Sequence, residues 1–178
     1  MNNIFKTKLN TASLVLIPAC IGINYLGKLF ASVLKLPLWL DSIGTCIGGA
    51  LGGPIIGAIC GAANNLIYGF TTGDSITLVY ALTSLGIGLV VGIMVRLGKM
   101  EKVNGALLTS LAGGLAAVST STLLHVIFWG CTTGNVWGDA VLAATQAADI
   151  QAVLGPFFDK VVVGVPDKII PVLIVFAI

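Results

Sequence analysis

Residues 36–70 read LPLWLDSIGTCIGGALGGPIIGAICGAANNLIYGF. Glycines recur at four-residue spacing in two series, Gly44, Gly48 and Gly52, then Gly53, Gly57 and Gly61. On a helix every fourth residue lies on nearly the same face, so each series makes a groove without side chains along which another backbone can approach. Helices pair in this way in lipid, where small residues rather than hydrophobicity drive association. Pro54 stands where the first series gives way to the second, and proline is favoured at the first helical position because its missing N–H has no partner there anyway. The stretch is read as two short helices meeting at Gly52-Gly53-Pro54, with one kinked helix as the competing reading.

Composition says what surrounds these helices. Charged residues make up 9% of the chain and the mean hydropathy is +1.05, against about 25% charged in an ordinary soluble domain. The expected class is an all-α integral membrane protein, a single transmembrane domain over 1–178, and 178 residues accommodate six spans at about 20 residues each. Lys6 and Lys8 precede an apolar run that continues to Leu34, longer than the apolar region of a secretory leader, so the run is read as a span.

The remaining spans are placed at about 39–52, 54–70, 75–97, 103–129 and 157–178, after a first at 11–34. Lys28 is read as snorkelling from the end of the first. Arg96, Lys99 and Lys102 form one basic cluster, and Lys6 with Lys8 the other. Basic residues favour the cytoplasm, so an even number of crossings separates the clusters, which selects two helices at Gly-Gly-Pro and puts both termini inside. Residues 130–156 then lie outside as a loop and helix lid, with Asp139 capping an alanine-rich helix through Gln151. Asp159-Lys160 and Asp167-Lys168 interrupt the sixth span, so either they face a cavity or the natural chain runs further.

Several function classes drop out. The charge of +2 with no basic run gives no nucleic-acid signal. Cys20, Cys46, Cys60 and Cys131 lack C-x-x-C or zinc spacing, and His125 is the only histidine. There is no phosphate-binding G-x-x-x-x-G-K-[ST] loop, no H-E-x-x-H and no Ser/His/Asp set. No enzymatic activity, metal or cofactor is expected.

The segment Pro37-Leu38-Trp39-Leu40-Asp41-Ser42-Ile43-Gly44-Thr45, followed by Gly53-Pro54, Gly57, Gly61 and Asn64-Asn65, resembles the substrate-binding S components of energy-coupling factor (ECF) transporters. Val165-Pro166-Asp167-Lys168-Ile169-Ile170 resembles the start of their last helix. The resemblance implies a six-helix subunit in a bacterial plasma membrane that captures a vitamin or similar micronutrient from outside. It also implies docking on a transmembrane T subunit driven by two ATPases. Many members carry an Ala-x-x-x-Ala contact in the first helix, whereas this chain has Pro18-x-x-x-Gly22 with Ala19 between them. Pro18, Ala19, Gly22, Gly57 and Gly61 are the expected docking residues.

On the four-crossing topology Trp39, Tyr68, Tyr80, Trp129 and Trp137 fall toward the outer face, as an aromatic belt or as ligand contacts. Ser121, His125 and Trp129 recur every four residues, as do Tyr80 with Ser84 and Asn64 with Tyr68. Each stripe alone fits helix-to-helix hydrogen bonding, and together they mark a pocket. Asp41 and Asp167 join it or cap helices, and Lys168 is the nearest cation. A flat polar ring, vitamin-like or nucleobase-like, suits such a set. The alternative of a stand-alone secondary transporter calls for paired repeats and a midplane carboxylate site, which the sequence lacks.

Overall fold

The computed structural model describes residues 11–128, 136–148, 157–158 and 160–178, apart from the Val126 side chain. Among the described residues the helices are α1 Thr11–Val33, α2 Ile43–Gly52, α3 Pro54–Thr72, α4 Ser75–Val79, α5 Ala81–Arg96, α6 Val103–Phe128, α7 Val136–Ala147 and α8 Val165–Ala177. A π-helical turn at Lys160–Gly164 leads into α8.

Among the described residues four helices are long and apolar enough to cross a membrane: α1, α3, α4 with α5 taken together, and α6 as far as His125. The pattern along α6 shows which way the apolar surface faces. Leu107, Leu111, Leu115 and Leu123 are exposed, while Ala106, Ser110, Ala117 and Ser121 are buried. Large apolar groups outside and small or hydroxyl-bearing groups inside invert the soluble pattern, as expected when lipid is the solvent.

Gly53 ends α2 and opens α3 with φ +93°, a conformation that L side chains rarely adopt, and Pro54 takes the first position of α3. Two helices therefore meet at Gly-Gly-Pro. They pack on each other, and α2 also touches α1, α5 and α8, so this short helix is packed by helices on several sides. At 10 residues it rises about 15 Å, half the hydrocarbon thickness. Cys46 of α2 meets Ile87 and Val91 of α5, Ala117 of α6 and Val172 of α8 in one cluster, and Cys20, Ile56 and Cys60 make a second between α1 and α3.

Two expectations need correction and one is met. The second span begins at Ile43 rather than 39, because Lys35 and Leu40 have positive φ and Pro37 lies between them, which keeps the connection out of helical geometry. The span expected at 75–97 is present as Ser75–Arg96, with a turn at Tyr80 that the hydrogen bonds Tyr80 N to Ile76 O and Ser84 N to Tyr80 O carry the helix across. Asp139 lies in the first turn of α7 rather than at its cap, and α7 ends at Ala147 where Gln151 was expected. Gln151 falls outside the described residues.

The glycine grooves are filled from within the chain. A Cβ at Gly57 would lie 2.7 Å from Gly49 Cα and 2.9 Å from Gly88 O, and one at Gly61 would lie 2.7 Å from Ser84 O. Gly57 and Gly61 are thus internal contacts of α3 with α2 and α5, which removes them from a docking surface. Gly22 differs: nothing lies within 4 Å of its would-be Cβ, and Pro18 and Ala19 beside it are exposed. Gly57→Leu is expected to destabilise the protein by about 1–3 kcal/mol or more through overpacking, whereas Gly22→Leu should stay within about 0.5 kcal/mol of wild type. Thermal unfolding of the two variants in detergent checks this, and equal losses would contradict it.

Candidate functional site

The inner face of α1 carries Cys20, Asn24, Lys28 and Ala31, all buried and all at helical spacing. Asn24 accepts hydrogen bonds from Gly44 N at 2.7 Å and Thr45 N at 3.3 Å, and donates to Thr45 Oγ1 at 2.8 Å. This satisfies N–H groups in the first turn of α2, the work a capping side chain normally does. One turn further along, Lys28 does not snorkel. It is 5% exposed. Its ammonium donates to Thr77 Oγ1 at 2.9 Å, pairs with Asp41 Oδ2 at 3.8 Å, and lies 4.7 Å from the ring centre of Tyr68 and 5.4 Å from that of Trp39. Cation–π attraction and an ion pair together offset part of the cost of burying the charge.

Across from α1, the start of α8 holds the connection that leads into α2. Asp167 is fully buried, and its Oδ1 accepts from Trp39 N at 2.8 Å and Leu40 N at 2.9 Å. Its Oδ2 accepts from Lys168 Nζ at 2.5 Å, and Lys168 also donates to Ser42 Oγ at 2.6 Å and Asp41 Oδ1 at 3.4 Å. An ammonium has three protons, so these acceptors saturate Lys168. Neither carboxylate caps a helix through its side chain, which corrects one expectation: Ser42 and Gly164 occupy the cap positions of α2 and α8 and make no side-chain cap bond. Asp74 does cap α4, accepting from Ile76 N and Thr77 N, and its other oxygen accepts from Thr77 Oγ1.

These groups enclose a cavity of about 100 Å³. Its charged walls come from Lys28, Asp41, Asp74, Lys160, Asp167 and Lys168, three cations and three carboxylates. Trp39 and Tyr80 bring aromatic rings. The opposite wall is uncharged, with Asn65 from α3, Thr83 and Ser84 from α5, and Ser121 from α6. Trp137 of α7 donates from Nε1 to Lys35 O at 3.1 Å, which ties α7 to the same connection.

Of the expected ligand residues, Trp39, Asp41, Tyr80, Ser84, Ser121, Asp167 and Lys168 line the cavity. Three others lie behind its wall. His125 is fully buried, with Nδ1 2.7 Å from the Tyr80 hydroxyl, so it positions Tyr80 rather than facing the cavity. Tyr68 packs on Tyr25 at 5.2 Å beneath Lys28, and Asn64 is fully buried on α3 with no partner for either side-chain polar atom. Trp129 falls outside the described residues. Lys28, Asn65, Thr83 and Lys160 line the cavity without having been expected there. The available signal for Lys28 was its place one turn from Asn24 on the face of a membrane helix that Cys20 also occupies, since a charge there faces protein more often than lipid.

Asp167→Ala is expected to cost about 3–5 kcal/mol, the price of leaving a buried charge unpaired. Asp167→Asn should lose less, because an amide oxygen still accepts from Trp39 and Leu40. Unfolding measurements in mixed micelles test the order, and an alanine variant as stable as wild type would contradict it.

A family model described as the ECF transporter substrate-specific component matches residues 12–178. No curated protein and no solved structure gave a match.

Proposed function

Because the chain belongs to the family of ECF transporter substrate-specific components, we propose that its cavity captures a small polar micronutrient with a planar ring, for import by a complex with a transmembrane subunit and two ATPases. One observation carries this reading. The cavity takes its walls from Asp74 and Thr77, just before and within α4, and from Ser121 near the end of α6. Arg96 ends α5, and Lys99 and Lys102 precede α6. A basic cluster at one end of both helices and the polar cavity at the other support a cavity that faces outside under the positive-inside rule.

Six crossings with both termini inside follow if α2 with its connection, and α8 with the π-helical turn, also traverse. Neither needs full length on its own, since non-helical backbone is tolerated where protein covers it. Labelling Lys99→Cys in intact cells tests this orientation, and reaction with an impermeant reagent from outside would refute it. Exposed Pro18 and Ala19, with half-buried Gly22 whose would-be Cβ meets nothing within 4 Å, form a small-residue face on α1 suited to close approach by the transmembrane subunit. Gly22→Leu should therefore fold but fail to assemble with that subunit.

Mass spectrometry of small molecules released from detergent-purified protein identifies the cargo. The purified subunit should rebind the released compound without ATP or sodium. Trp39→Ala should weaken that rebinding about two- to tenfold through lost ring contact, while the backbone bond from residue 39 to Asp167 persists. Rebinding that appears only with sodium would favour a stand-alone secondary transporter instead.

A further inference from the structure

Asn65 is 1% exposed and its amide orientation is fixed by its partners. Nδ2 donates one proton to Tyr80 O at 3.1 Å and the other to Ser84 Oγ at 2.7 Å. A backbone carbonyl only accepts, so turning the amide over would set two oxygens against each other. Oδ1 is thereby left as a committed acceptor, and it is buried with no partner. Thr83 Oγ1 is a second buried oxygen without a partner, from a residue 7% exposed. Both residues line the cavity, and so does Ser121, whose hydroxyl proton goes to Val118 O at 3.3 Å. This wall therefore offers a committed acceptor at Asn65 Oδ1 and, beside it, an unpartnered Thr83 hydroxyl that can accept or donate, with no charge.

The carboxylates elsewhere in the cavity are already engaged. Asp167 serves two backbone N–H groups and Lys168, Asp74 serves α4 and Thr77, and Asp41 serves Ser42, Lys168 and Lys28. A cationic group on the ligand would find no uncommitted countercharge among them. From this we infer that the α3/α5 wall selects a neutral edge of a planar heterocycle that presents an N–H to Asn65 Oδ1, with the Thr83 hydroxyl as a second hydrogen-bonding contact. The inference rests on the cavity being the substrate site. A site built to receive a donor rejects an analogue that lacks it, because the buried acceptor at Asn65 is then stranded.

The test uses paired probes, uracil against its N-dimethylated derivative and xanthine against caffeine, titrated into detergent-purified full-length protein. An N–H member is expected to bind at least about tenfold more tightly than its methylated partner. Thr83→Val should weaken that binding about two- to tenfold with an unchanged or raised melting temperature, since the hydroxyl removed satisfies nothing in the ligand-free fold. Thr83→Ser should restore the affinity. Equal binding of both members of a pair, or a Thr83→Val variant that binds like wild type, would overturn the inference and leave the cavity as a binding site. A compound released from the purified protein that carries no N–H or O–H donor would do the same. Failure of every probe would overturn this ligand class. If the purified protein also released no compound, the substrate-site reading would fall with it.

Discussion

Everything at the cavity depends on how a buried Asp167 is satisfied. Its carboxylate takes two backbone N–H groups from residues 39 and 40 and one ammonium proton from Lys168, so the connection between α1 and α2 is fastened to the start of α8 over a sequence separation of more than 120 residues. Lys168 passes the link on to Ser42 and Asp41, and Asp41 pairs with Lys28 of α1. Two unit charges about 4 Å apart interact by roughly 4 kcal/mol at an effective dielectric of about 20, which is enough to hold such a chain only when each member also has its hydrogen bonds. Here they do. The positive φ of Leu40 is strain that this anchoring sustains.

The same physics divides the molecule into two parts. Around α2 the packing is close, made largely from glycine, alanine and cysteine, with α3 and α5 approaching to backbone contact. At the cavity end, polar side chains of α1, α3, α5, α6 and α8 line the space between the helices. The small helices give rigidity, and the charged network gives one end of the bundle its shape. Buried unpartnered oxygens at Asn65 and Thr83 are tolerable in such a fold when the occupant of the cavity completes them, since each stranded polar group otherwise costs about 1–3 kcal/mol.

Much of this was legible from sequence because it is local. Glycine spacing and Pro54 located the helix junction, low charge gave the solvent, and the stripes of Tyr80, Ser84 and Ser121 pointed to the cavity wall. What stayed hidden depends on pairings distant in sequence. Nothing near Lys28 in the chain announces that Asp41 and Thr77 receive it, so its nearness to a helix end suggested snorkelling. Asp167 sits in the first turn of a helix, where a dipole role is the local reading, and its actual partners come from residues 39 and 40. Gly57 and Gly22 look alike as small residues in membrane helices, yet one is pressed against Gly49 and Gly88 while the other has open space. His125 falls in register with Ser121 but lies behind Tyr80.

The central claim is that the space between the charged network and the Asn65 wall is where a small molecule resides. A density map of the protein purified together with the compound it carries addresses this most directly. The account predicts a ring-sized, non-protein feature flanked by Trp39 and Tyr80, within hydrogen-bond distance of Asn65 Oδ1. A cavity occupied only by water, with the compound bound at another surface of the protein, would contradict it.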